Sequence, residues 1–288
     1  MPELPEVETV VRGLGKHLIG QAIKDIDIRN KDSYKTTTRE IKGLKVTKIS
    51  RRGKGVIINL SKNVSLLIHL KMTGQLIYMP TKEQALKKRL NFGHPTNDFT
   101  GEMPSKHTRI IFHLSGGTLY FNDQRKFGWV KLLPTEKTNE DSFIKNLGIE
   151  PFSKEFTTEF LWSVIKRRPK SNIKATLLDQ SVVVGVGNIY ASEILFSAGV
   201  NPHKKNNQLN KEETKRIVAG TKQVLKKGIK YSGTSILNYR TPEGSQGKMQ
   251  NHLMVYSRDK LPCRTCKTII KKTQLDSRGT YCCPKCQR

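Results

Sequence analysis

The 288 residues carry 52 Lys and Arg against 24 Asp and Glu, a formal net charge of +28, with 35% hydrophobic side chains. That hydrophobic content argues for folded cores and against a disordered chain, and no run of about 18 apolar residues is present to span a membrane. The surplus of positive charge points to a polyanion, nucleic acid rather than a lipid surface: each Lys or Arg set on a phosphate releases condensed counterions, and no basic amphipathic helix with a bulky aromatic face is visible.

The opening MPELPEVETV has acidic residues and two prolines where a secretory signal has a basic start and an apolar run, so a soluble cytoplasmic protein is expected. Val7, Val10, Val11, Leu14 and Leu18 fall at helical spacing and predict an amphipathic helix over residues 3–18. Short apolar runs at 26–28, 44–49, 56–60, 66–70, 76–78, 110–114, 119–121 and 129–133, punctuated by glycines, predict the strands of an antiparallel β-sandwich or barrel. Residues 81–105 read as a long polar loop. After residue 134 the pattern changes to a polar linker over 135–150 and then to helices. One is predicted around Phe160–Ile165 and is ended by Pro169; others follow over 173–180, up to about Ala198, and over 212–229. The division is α+β: a β-sandwich domain over 1–134 with an N-terminal helix, a helical domain over 151–253, and a cysteine-bearing tail over 254–288.

The five cysteines all lie after residue 262, an arrangement that suits a metal site better than a secreted disulfide framework. Cys263-x-x-Cys266 and Cys283-x-x-Cys286 are two thiolate knuckles separated by 16 residues, suited to one tetrahedral Zn²⁺. An iron–sulfur cluster is the weaker alternative. Cys282 gives no two-residue knuckle with Cys286 and reads as a spare thiol. Residues 251–288 hold nine Lys and Arg and two Asp and Glu, and Arg278 sits in the turn of this ribbon within reach of a polyanion.

Two further features are ambiguous on their own. Gly185-Val186-Gly187-Asn188 between two helices reads either as an ordinary glycine turn or as backbone that lets a phosphate approach a helix start. Pro2, with Glu3 and Glu6 beside it, reads either as a helix start with favourable acidic residues or, once Met1 is removed, as a secondary amine able to attack a carbonyl carbon.

Taken together, Pro2-Glu3-Leu4-Pro5-Glu6-Val7-Glu8-Thr9, Arg51-Arg52-Gly53-Lys54, His69-Leu70-Lys71-Met72-Thr73-Gly74, Asp123-Gln124-Arg125-Lys126-Phe127-Gly128, Leu177-Leu178-Asp179-Gln180 with Gly185–Tyr190, and the four-cysteine ribbon resemble the formamidopyrimidine-DNA glycosylases over essentially the whole chain. The resemblance implies a β-sandwich half, a helix–two-turn–helix half and a C-terminal zinc finger, with damaged double-stranded DNA as partner, one structural Zn²⁺ and a monomer. It implies excision of oxidised purines followed by strand cutting. Pro2 is then the nucleophile, Glu3 the general acid, Glu6 the support of the amine and a bound water, and Lys54 and Arg278 the phosphate grips that assist the eliminations. A base inside a duplex is out of reach and has to be flipped out. Met72, Arg125 and Phe127 match the residues that fill the gap, with Arg125 facing the orphaned base. His69, His107, Lys174 and Asn188 match phosphate contacts, and residues 232–250 match a lesion-recognition loop. The chain departs from the family's pattern in the length of 81–105, in Thr108-Arg109 where Asp-His is common, and in Met249 where an aromatic residue is common. Two rival expectations are a glycosylase for oxidised pyrimidines, whose members usually carry Gly at the position of Leu4, and a non-catalytic zinc-ribbon protein that coats nucleic acid.

Overall fold

The computed structural model describes residues 1–36, 40–81, 89–93, 98, 101–234 and 247–288. These form two compact units, Met1–Lys145 with Tyr231–Gln250, and Asn146–Lys230 with Asn251–Arg288.

In the first unit, helix α1 (Leu4–Leu18) is followed by ten strands: β1 (Ile23–Ile28), β2 (Tyr34–Thr36), β3 (Val46–Arg52), β4 (Gly55–Leu60), β5 (Val64–His69), β6 (Gly74–Pro80), β7 (Leu90–Gly93), β8 (Thr108–Leu114), β9 (Gly117–Asp123) and β10 (Trp129–Pro134). They build two five-stranded sheets, ordered β1-β8-β9-β6-β7 and β2-β10-β5-β4-β3. Alternating inward side chains of both sheets, among them Ile58, Leu66, Ile68, Phe92, Phe112 and Phe121, share one core. The apolar stripe of α1 (Val7, Val10, Leu14 and Leu18) enters the same core, so truncating Leu14 to Ala costs about 2–5 kcal/mol.

Three details differ from the expected pattern. The sheets are not wholly antiparallel: β2 pairs with β10 in parallel, Tyr34 opposite Val130. This three-residue edge strand is defined by a distant partner, so no local alternation marks it. Within the expected 81–105 loop, residues 90–93 form β7, because Phe92 is a core residue and pairs opposite Leu76. Gly93 has φ +104°, and a Cβ there would lie 2.5 Å from the Gly74 carbonyl oxygen. Residues 82–88, 94–97 and 99–100 of that loop lie outside the described set. The stretch expected to open the linker contains a 3₁₀ turn (Thr135–Glu140) and a short helix α2 (Ser142–Lys145). It is tied to the sandwich by a Ser65–Thr135 hydroxyl hydrogen bond of 2.8 Å and a Lys131–Asp141 ion pair of 2.7 Å.

The second unit begins with α3 (Thr158–Arg167) and α4 (Ile173–Leu178), capped by Thr157 Oγ1 accepting from Phe160 N and Asn172 Oδ1 accepting from Ala175 N. The turn between α4 and α5 (Asn188–Ala198) is shaped by one amide. Gln180 Nε2 donates to the carbonyls of Leu178 and Val186 at 2.8 Å, and its Oε1 accepts from Gly185 N at 2.9 Å. Gly185 sits at φ +85°, where a side chain is strained. Helix α5 ends at left-handed Gly199 and packs on α6 (Lys211–Lys230) at Gly220, where the backbones approach closely. Buried Glu193 on α5 accepts three backbone N–H groups, from Met254, Val255 and Tyr256 at 2.8–2.9 Å, and so fixes the stretch that leads into the ribbon. The ribbon is the hairpin β11 (Lys271–Leu275) and β12 (Arg278–Cys282). Its two turn residues, Asp276 and Ser277, both have positive φ, the geometry of a type I′ hairpin turn. Among the described residues no helix is long and apolar enough to cross a membrane.

Candidate functional site

The amino terminus is folded into the first unit rather than left loose. Pro2, Glu3 and Glu6 are buried. Glu3 caps α1, and its N–H donates to Glu6 Oε2 at 2.9 Å in a reciprocal capping box. The other oxygen of Glu6 accepts from Thr234 N at 2.8 Å and from Thr234 Oγ1 at 3.2 Å. That grip depends on Gly233, with φ +79°: a Cβ at this position would lie 2.7 Å from Glu6 Oε1. Lys54 is 7% exposed on the tight turn between β3 and β4. The turn is held by Arg51, whose Nη1 donates to the Gly53 carbonyl and whose Nε pairs with Glu8 of α1 at 3.1 Å. The chain's amine, that of Met1, lies in the field of these residues. Burial pulls it below the ordinary amine value; Glu3 and Glu6 act to raise it, and Lys54 acts to lower it. The amino terminus thus has two carboxyl groups and a lysine buried beside Pro2, groups able to move protons there.

His69 lies at the end of β5, 5% exposed, with its ring 4.9 Å from Phe143 and 5.7 Å from Trp129. Its Nδ1 accepts from Lys71 N at 2.9 Å, which leaves the proton on Nε2. Burial first, then the charges of Lys71 and Lys54, push its pKa down to about 3. It is a neutral donor, not a cation. His107 carries a different partner: its Nδ1 meets the carboxylate of Asp98 at 2.9 Å.

Met72, Arg125 and Phe127 stand on two neighbouring turns of the first unit. Met72 is 40% exposed and Phe127 54%, and the Arg125 guanidinium lies 4.8 Å from the Phe127 ring centre. Large apolar side chains left in solvent beside a cation are suited to contact with stacked bases.

Lys174, Asn188 and Arg278 belong to the second unit and meet at the ribbon turn. Lys174 is 1% exposed; its ammonium donates to Thr280 Oγ1 at 2.7 Å and to the Gly279 carbonyl at 3.1 Å. Asn188 Nδ2 donates to the same carbonyl at 3.0 Å. Lys174, expected as a phosphate contact, is therefore buried against the hairpin, because the turn carbonyls need a donor there. Arg278, one residue before Gly279, is exposed. It lines a cavity of about 220 Å³ with Asn172, Lys174, Leu178 and Leu275.

The ligand atoms of Cys263, Cys266, Cys283 and Cys286 all lie within 4.8 Å of one another, with sulfur pairs at 3.4 and 4.0 Å. A tetrahedral Zn²⁺ with bonds of about 2.3 Å needs sulfurs about 3.8 Å apart, so the set fits. Thr265 N and Cys286 N point at Cys263 Sγ and Cys283 Sγ, as in a zinc knuckle. Cys282 is buried outside this set.

The groups that sequence reasoning missed are Thr234 on Glu6, Asp98 on His107, Glu193 beneath the ribbon and Asp123 between the two exposed turns. Asp123, Thr234 and Asp98 stand inside runs that had drawn attention, but nothing in those runs marked these residues themselves. All four meet these partners only through the fold.

Comparison with known proteins agrees along the chain. Residues 1–130 match the Formamidopyrimidine-DNA glycosylase N-terminal domain, 147–239 the Formamidopyrimidine-DNA glycosylase H2TH domain, and 260–288 the zinc finger found in FPG and IleRS. The four cysteines are accordingly the ligands of one structural Zn²⁺. A formamidopyrimidine-DNA glycosylase of Desulfitobacterium hafniense is 37% identical over the full length of both chains. Among solved structures, a Lactococcus lactis FPG mutant in complex with Fapy-dG containing DNA superposes with a TM-score of 0.86 at 33% identity, covering all of both chains. The MutM (FPG) protein of Thermus thermophilus gives 0.84 at 33% identity, covering 99% of this chain and 98% of that one.

Proposed function

The chain belongs to the formamidopyrimidine-DNA glycosylase family, and from that premise we propose that it is a bifunctional DNA glycosylase and AP lyase of base excision repair, acting on oxidised purines (8-oxoguanine and formamidopyrimidines) in double-stranded DNA. In this reading residues 1–134 are the catalytic domain, 151–253 the helix–two-turn–helix domain and 254–288 the zinc finger. The protein works as a monomer in the cytoplasm, held on the nucleoid through DNA. The observation that carries the reading is that Pro2, Glu3, Glu6 and Lys54 are all buried in the first unit, with Glu6 held against Glu3 and Thr234.

With Met1 removed, the secondary amine of Pro2 attacks C1′ of the damaged nucleotide. A nitrogen–carbon bond forms, the glycosidic bond breaks and the base leaves with a proton. Glu3 protonates the ring oxygen as the sugar opens, giving an iminium Schiff base. Glu6 supports the amine and a bound water, and is itself held by Thr234. Loss of a C2′ proton then expels the 3′ phosphate, and a second elimination expels the 5′ phosphate. Lys54 grips phosphate and assists the first elimination; Arg278 assists the second. His69, His107 and Asn188 position the backbone. His69 does so as a neutral donor, and Lys174 acts by fixing the ribbon turn. Met72, Arg125 and Phe127 fill the space the flipped nucleotide leaves. The zinc supplies ribbon structure and takes no part in the chemistry.

The test is a duplex with 8-oxoguanine opposite cytosine, incubated with untagged protein. Free base and a one-nucleotide gap with phosphate on both sides are expected. Intact strands here, with cutting at an oxidised pyrimidine instead, would replace the substrate; intact strands on both, with tight binding, would leave a non-catalytic binder.

A further inference from the structure

Asp123 closes β9 and is fully buried, yet all of its hydrogen-bonding side-chain contacts go to the two exposed turns. Its Oδ1 accepts the Thr73 hydroxyl of the turn carrying Met72, and also Arg125 N at 3.2 Å. Its Oδ2 accepts Gly128 N at 2.5 Å. Arg125 N also reaches Thr73 Oγ1 at 3.1 Å, so the two turns are joined directly as well as through the carboxylate. Both turns are tight: Lys71 and Lys126 have positive φ, and a Cβ on Gly74 would lie 2.3 Å from the Leu70 carbonyl oxygen. A Cβ on Gly128 would lie 3.0 Å from Asp123 Oδ2. From beneath, Arg109 Nε donates to the Asp123 carbonyl at 2.9 Å, and Asp123 N donates to the His107 carbonyl at 2.9 Å. Arg109 is one of the positions where the chain departs from the resembled pattern.

We infer that Asp123 is a positioning residue for recognition of the base opposite the lesion: through Thr73, Arg125 N and Gly128 N it fixes Met72, Arg125 and Phe127 as one unit. The inference rests on the DNA glycosylase reading given above. A wedge that rejects the wrong opposite base has to arrive with its side chains already set, because each loosely held rotamer weakens discrimination as well as affinity. A buried carboxylate with three donors is a stiff way to achieve this, since leaving any one donor unpaired is costly.

The experiment is equilibrium binding to duplexes that carry a tetrahydrofuran abasic analogue opposite cytosine or opposite adenine. These probes need no base excision. The unaltered protein is expected to separate the two opposite bases. Asp123→Asn, and the milder Thr73→Val, are expected to shrink that ratio by roughly threefold or more, the size of one lost hydrogen bond. Thr73→Ser is expected to restore it. A merely structural role lowers both affinities by one factor and keeps the ratio, and that result from folded Thr73→Val protein overturns the inference. Equal affinities in the unaltered protein overturn it too, even with base excision intact. Lost excision with an intact, Thr73-dependent ratio overturns the enzymatic reading instead.

Discussion

His69 makes the N-terminal unit sensitive to mild acid, in an amount that follows from its surroundings. The folded imidazole has its pKa pushed down to about 3, whereas the unfolded one titrates at the ordinary value. Between those values the unfolded chain binds a proton that the folded chain refuses. Stability from this residue is therefore fully present above the unfolded value and is lost as pH falls towards the folded one. By pH 5 the loss is about 2 kcal/mol, and at pH 7.5 it is close to zero, from about 1.4 kcal/mol per pH unit below about 6.5. The geometry supports the direction: protonating Nδ1 breaks the bond from Lys71 N, and the ring is enclosed by Phe143 and Trp129. The chain has two tryptophans, Trp129 and Trp162, so a Trp162→Phe background leaves Trp129, against His69, as the fluorescent reporter of this unit. Urea unfolding at pH 7.5 and pH 5 should show the parent losing about 2 kcal/mol more than a His69→Gln version. Equal losses in the two proteins, or an imidazole that titrates near 6.5 by NMR, would refute the reasoning.

Other perturbations have equally definite outcomes. Cys263→Ser should drop zinc from one ion per chain to near none by elemental analysis and weaken duplex binding, because metal binding supplies the ribbon's folding free energy; full metal content contradicts the ligand assignment. Gly233→Ala introduces a Cβ 2.7 Å from Glu6 Oε1 at φ +79°. It should cost about 1–2 kcal/mol and slow single-turnover excision more than it weakens binding, and an unaltered rate and melting point would remove Glu6 from its role. Glu193→Gln leaves at least one of the N–H groups of Met254, Val255 and Tyr256 without an acceptor. It should lower unfolding stability of the second unit by about 1–3 kcal/mol, measured by hydrogen exchange at those three amides; unchanged protection contradicts the brace.

Much of the fold was legible because burial imposes period. The apolar stripe of α1 and the alternating strands of the sandwich each declare their buried face locally. The edge strands β2 and β7 were missed because three or four residues carry too little pattern, and their pairing is decided by β10 and β6. The cysteine spacing specified the ligand set outright, since two knuckles and one tetrahedral ion admit few arrangements. The placing of charged residues was the least legible. Lys174 is expected as a phosphate contact, yet it is buried with its ammonium on the turn carbonyl of Gly279 and the Thr280 hydroxyl. His69 is expected only as a phosphate contact, and its neutral state, set by burial against Phe143 and Trp129 and by the charges of Lys71 and Lys54, is not written in the sequence. Asp123 appears in the sequence as one more acid in a polar run, and only the meeting of two distant turns shows what it holds.

The central claim, that a free N-terminal proline forms the bond to DNA, is tested most directly by borohydride trapping on a duplex with 8-oxoguanine opposite cytosine. Untagged protein and a form with Pro2 blocked by a retained N-terminal extension are compared side by side. The expected result is a covalent protein–DNA band with the free amine and none with the blocked form. An equal yield from both would remove Pro2 from the chemistry, and no band from either, on this duplex or on a preformed abasic site, would contradict the enzyme itself.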